Sequence, residues 1–80
     1  MVTTESIRAS LEAGLPCVHV EVRGDGQHFE AIIVSSAFAG LSRIKQHQLV
    51  YAAMGDRMRE EVHALSMRTL TPEEYREQGA

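Results

Sequence analysis

The chain has 80 residues, 44% of them hydrophobic and 24% charged, with a formal net charge of -3. That length predicts one domain with a modest core, and the acidic balance argues against a broad electrostatic footprint for nucleic acid, which needs clustered Lys and Arg. A single cysteine, Cys17, excludes an internal disulfide or an all-cysteine metal site within one chain.

Taken in chain order, Thr3 or Thr4 caps a first helix with Glu5 near its positive end, Ile7 and Leu11 on one face and Gly14 as its stop. Residues 17–23, CVHVEVR, alternate strictly and place Val18, Val20 and Val22 on one face of a strand. Gly24-Asp25-Gly26 is a turn signal, and a second strand from about His28 to Ser35 returns antiparallel. Apolar residues on both of its faces predict a central position in the sheet.

Residues 36–40, SAFAG, read as a short turn or helical piece, after which Ser42 caps a longer helix running to about Glu61. Leu49, Val50, Ala53, Met54 and Met58 form its apolar stripe, whereas Arg43, Lys45, Gln46 and His47 crowd its first turns. Cations there oppose the helix dipole, which marks that end for attention. Val62 to Leu70 alternates as a third strand, with His63, Leu65 and Met67 on one face, and Thr71-Pro72-Glu73-Glu74 starts a last helix that ends near Gln78. The order predicts an α+β sandwich of αββααβα topology: a three-stranded mixed sheet with helices on one face, the third strand entering after a helical crossover.

The longest apolar run, Ala31 to Val34, is too short to cross a bilayer, and no signal peptide pattern opens the chain. The expectation is a cytoplasmic protein without a membrane partner. Nucleophilic catalysis finds no support: there is no GxSxG, no recognisable Cys and His arrangement, and little room for a closed pocket. The GDG turn lacks a phosphate-binding context.

Two features carry chemistry. His28, after the hairpin turn, and His63, at the head of the third strand, are good ligands for iron, zinc or copper, yet two imidazoles leave any four-coordinate metal half-ligated. A lone histidine is more commonly structural, and Cys17 opens a strand with no cation beside it to activate the thiol. The second feature is residues 38–54, FAGLSRIKQHQLVYAAM, a helix-turn-helix-like pair that places Arg43, Lys45, His47 and Gln48 where phosphates and base edges could be contacted. The net acidity favours a solvated or partner-binding helix end instead.

The run GDGQHFEAIIVSSAFAGLSRIKQHQLVYAAM, followed by EEVHALSMRTLTPEEY, resembles the BolA family and, within it, the acid-responsive IbaG-like branch. Its most specific elements are F-x-G-x-S at Phe38, Gly40 and Ser42, the Val50-Tyr51 pair, and V-H-A-L-S followed by T-P-E-E-Y. The resemblance implies a single BolA-like domain over residues 1–80 with a class II KH-like fold. It implies a non-enzymatic role beside a monothiol (CGFS) glutaredoxin, sharing a bridged 2Fe-2S cluster with that partner and glutathione, in iron-sulfur trafficking or in iron or stress regulation. No cofactor is then expected in the isolated chain.

His63 matches the family's C-terminal ligand histidine, and the second ligand comes from the hairpin loop. That loop reads RGDGQHF, so His28 is the leading candidate, with Asp25, at the cysteine-bearing position of other branches, or Cys17 as the alternative. Imidazole in place of thiolate raises the reduction potential, as at a Rieske centre, and makes ligation pH-sensitive. The family is also associated with transcription regulation, for which the helix-turn-helix surface and its Arg43, Lys45, His47 and Gln48 give the alternative reading. No GxxG loop joins these helices, which disfavours KH-type RNA binding.

Overall fold

The computed structural model describes residues 3–25, 28–55 and 65–78. Helix α1 (Thr4–Gly14) leads into strand β1 (Cys17–Gly24), which turns back as β2 (Phe29–Ser35). A short 3-10 turn (Ser36–Phe38) precedes α2 (Arg43–Met54), then come β3 (Leu65–Leu70) and α3 (Pro72–Glu77). The sheet order is β1-β2-β3, with β1 antiparallel and β3 parallel to β2, which makes β2 central as its two apolar faces require.

Local chemistry sets the helix starts. Thr3 accepts the Ser6 N–H at 3.0 Å while the Ser6 hydroxyl reaches back to the Thr3 N–H. Thr71 and Glu74 form the same reciprocal cap on α3, where Pro72 loses nothing by lacking a donor. Gly14 is the last residue of α1 and also a spacer: a Cβ there would lie 2.6 Å from that of Ala53, so its lack of a side chain lets α1 and α2 approach.

One core joins Ile7 and Leu11 of α1, Val20 of β1, Phe29, Ala31 and Ile33 of β2, Phe38, and Val50 and Met54 of α2. Each of the larger side chains, fully buried, contributes about 1.5–3 kcal/mol of transfer free energy. Leu65 and Met67 of β3 pack against its margin, as their alternation predicts.

Three expectations need correction. The strict alternation of β1 fails at its first residues, because a bulge between Cys17 and His19 shifts the register. Cys17 therefore packs against the core and Val18 is 64% exposed. The helix expected to reach Glu61 ends at Met54, where Gly55 takes a φ of 66° and closes α2 with a bond from its N–H to the Tyr51 carbonyl. Helices on one face describes α1 and α2; α3 folds over one end of the opposite face, where Tyr75 stacks on His19 at 5.1 Å and Val34 and Leu70 are buried. Gly26, Met58, the start expected for the third strand at Val62, and His63 lie outside the described residues.

Candidate functional site

The hairpin loop is tied at its base. The Asp25 N–H donates to the His28 carbonyl at 3.3 Å, and the His28 N–H donates to Asp25 Oδ1 at 3.0 Å. Asp25 thus spends a carboxylate oxygen on the backbone of the residue it would otherwise compete with as a ligand. The His28 side chain is exposed and carries no hydrogen bond among the described residues. It stands over an open depression of about 490 Å³ lined by Arg23, Asp25, Phe29, Glu30, Leu65 and Ser66 together with Gly24.

Leu65 enters this depression because Phe29, the neighbour of His28, is its partner in the parallel ladder. His63 lies outside the described residues, two positions before Leu65 in the chain. Among the described residues no three His, Cys, Asp or Glu side chains gather to hold a metal ion. Among the described residues, the donors at this end are the His28 imidazole, the Glu30 carboxylate and the Asp25 carboxylate already engaged.

Cys17 is not brought to this end. It pairs with Ser35, whereas Gly24 pairs with Phe29 at the hairpin end, and seven strand steps at about 3.3 Å each separate the two. The Cys17 thiol points to the Leu11 carbonyl at 3.7 Å, and burial, with the Glu12 carboxylate adding to it, pushes its pKa above the ordinary thiol range. A protonated thiol held against a helix carbonyl is a poor ligand and a poor nucleophile.

The second candidate surface is built by the F-x-G-x-S run. Phe38 is fully buried, Gly40 turns the chain with a φ of 77°, and Ser42 caps α2 by accepting the Lys45 N–H at 3.3 Å. Arg43, Lys45 and Gln48 are exposed, and His47 is half-buried with its Nε2 shielded and lacking a hydrogen-bond partner among the described residues. α2 contains no acidic residue, so its start is a local cationic patch on an acidic chain.

Two apolar residues of this region face solvent, Ile44, which no sequence pattern marks, and Tyr51 of the Val50-Tyr51 pair. Ile44 is 71% exposed and Tyr51 is 44% exposed, and their spacing of seven puts both on the outward face of α2. Gln46 was grouped with the polar residues of the helix start, but it is buried: its Nε2 donates to the carbonyls of Phe38 and Leu41, each at 3.1 Å, and its Oε1 accepts the Thr69 hydroxyl at 2.6 Å. The i, i+4, i+8 relation of Gln46, Val50 and Met54 was the available signal.

Residues 2–74 match the family model described as BolA-like protein. The chain is 37% identical over 70 residues to the acid stress protein IbaG of Escherichia coli K12, covering 86% of this chain and 83% of that one. It is 33% identical over 62 residues to the DNA-binding transcriptional regulator BolA of Haemophilus influenzae, covering 78% of this chain and 60% of that protein's length. Among solved structures, a bol-like protein from Babesia bovis superposes with a TM-score of 0.88 at 28% identity, over 100% of this chain and 96% of the other.

Proposed function

The chain belongs to the BolA-like protein family, and on that premise we propose that it is a non-enzymatic accessory protein that pairs with a monothiol glutaredoxin in the cytoplasm and co-ligates a bridged 2Fe-2S cluster through His63 and His28. The observation that carries this reading is the pairing of Phe29 with Leu65. It sets the residue after His28 beside a strand whose first residue follows His63 by two positions.

The donor set fits such a group. His28 has an exposed imidazole on a loop whose backbone is fixed by Asp25, so the ring is presented without being consumed. His28 and His63 would hold one iron through their imidazoles, with partner and glutathione thiolates left to supply the rest. When bound, the cluster supplies one-electron chemistry and a transferable iron-sulfur unit. This chain's own contribution would be the His28 and His63 imidazoles, with half of the coordination left to another protein.

Visible absorption and circular dichroism of a cluster-loaded CGFS glutaredoxin, titrated with this protein, test the reading. The wild type should change the spectrum, and His63→Ala and His28→Ala should each abolish that change while the far-ultraviolet spectrum stays native. A wild type that leaves the visible spectrum untouched overturns it.

The alternative function, a small DNA-binding transcription regulator, draws on the cationic start of α2 and on the name of the Haemophilus relative. It requires duplex affinity that falls with salt and is lost in an Arg43→Ala, Lys45→Ala double variant.

A further inference from the structure

β1 is an edge of the sheet along its whole length, and the hairpin fixes which of its backbone groups face outward. Asp25 donates to His28, so 25 and 28 form a hydrogen-bonded pair. Alternation along the ladder then makes Arg23 with Glu30, Glu21 with Ile32 and His19 with Val34 the bonded pairs. The N–H and C=O of Val20 and Val22 consequently turn away from β2, toward the open edge.

This edge has a wall beside it. Thr4, Glu5, Arg8 and Glu12 form a stripe of α1 at roughly helical spacing, and with residues 17–23 of β1 they line a groove of about 430 Å³. A helix running beside a free strand edge is the geometry in which a domain accepts an extended peptide as an added strand, with main-chain bonds giving affinity and side-chain contacts giving selectivity. Edges not used this way are normally blunted by bulges, lysine or proline. Here the bulge between Cys17 and His19 guards one end only; Val20 to Gly24 contains no proline or lysine, and its two charges, Glu21 and Arg23, are of opposite sign.

The wall also selects. Arg8 lies 3.7 Å from Glu12 in an exposed pair, whereas Glu5 is exposed and enters no ion pair among the described residues. With Glu21, which lies 3.7 Å from His19 Nε2, and Arg23 on the strand, Glu5, Glu12 and Glu21 stand against Arg8 and Arg23, so the groove keeps one carboxylate in excess. A second copy of this chain, which carries a net charge of -3, would bring like charge to like.

We propose that the groove between α1 and the β1 edge binds an extended peptide segment bearing a basic side chain, taken up as a fourth strand through the backbone groups of Val20 and Val22. Neither His28 nor His63 takes part, so the proposal stands apart from the cluster reading.

The probe is a capped peptide of about seven residues, a common strand length, alternating threonine and valine with one central lysine. Amide shifts in nitrogen-15 spectra of the full chain should concentrate on Val20, Val22 and the α1 stripe. N-methylating the peptide amides that face β1 should weaken binding about tenfold or more, since each methyl removes a donor and blocks approach. That change sits on the ligand, so folding of the protein does not enter. Glu5→Lys should weaken the lysine peptide while improving one with glutamate at its centre. No shifts at the solubility limit of the peptide, equal binding of the N-methylated form, or the same shifts arising from protein concentration alone as a dimer forms would each overturn the proposal.

Discussion

The two ends of the sheet treat their polar groups in opposite ways. Where β1 begins, side chains close on one another: Gln46 bonds two carbonyls and the Thr69 hydroxyl, and the Ser35 hydroxyl donates to the Pro16 carbonyl while accepting the Ala37 N–H. At the hairpin end the backbone is secured by Asp25, but the His28 imidazole is left in solvent with no hydrogen bond among the described residues. One end uses hydrogen bonding for stability, and the other leaves its imidazole open to solvent. Stability and the proposed function are therefore separable by mutation along a single short sheet.

The largest effect that would sharpen this contrast is expected from Gln46→Leu. It keeps the apolar stripe of α2 but strips the partners from the Phe38 and Leu41 carbonyls and from Thr69. Leaving such groups buried and unsatisfied should cost about 3 kcal/mol, read as a lower urea midpoint at unchanged slope. A loss under about 1 kcal/mol would mean that water replaces the glutamine, and the two ends would no longer differ in kind.

Next comes Gly40→Ala. A Cβ at Gly40 meets nothing within 4 Å, so the penalty is purely that of placing an L-residue at a φ of 77°. About 1 kcal/mol of destabilisation is expected by the same urea measurement. Because Gly40 sets the chain between Phe38 and Ser42, the α2 cap should survive in amide exchange if the cost is only conformational.

The Cys17 thiol gives a smaller effect with a defined sign. Its pKa is raised in the folded chain by burial and then by Glu12, so the native state holds its proton more tightly than the unfolded state does. Stability from this group is intact below the ordinary thiol range and declines as pH rises through it toward the folded value. A Cys17→Ser variant should flatten that alkaline decline, and alkylation of the native thiol should lag behind that of the unfolded chain.

These contrasts were unequally visible in the sequence. The caps at Ser42 and Thr71 were legible, and the first to within Thr3 or Thr4, because capping is a local interaction within four residues, and the central position of β2 was legible from its two apolar faces. The bulge after Cys17 was not, since CVHVEVR alternates without a break and only pairing with β2 reveals the extra residue. Gly55 stops α2 inside a pattern that continues to read as helical, because one positive φ outweighs several favourable propensities. Gln46 escaped notice for a different reason: its partner Thr69 is 23 residues away. At the hairpin end, Asp25 and His28 look like rival ligands in sequence, and only the bond between them separates holder from held.

The smallest expected effect on stability falls on the residue with the largest proposed role. His28 is exposed, and its side chain bonds nothing among the described residues, so His28→Ala should move the urea midpoint by less than about 0.5 kcal/mol. The Asp25 bond runs to the His28 backbone N–H, so alanine keeps the loop closed and removes the imidazole alone. A substantial loss of stability would show that the ring is part of the fold and would erase the difference between the two sheet ends. With stability unchanged, loss of the spectral response to the loaded glutaredoxin could not be ascribed to unfolding, and would instead report the missing nitrogen.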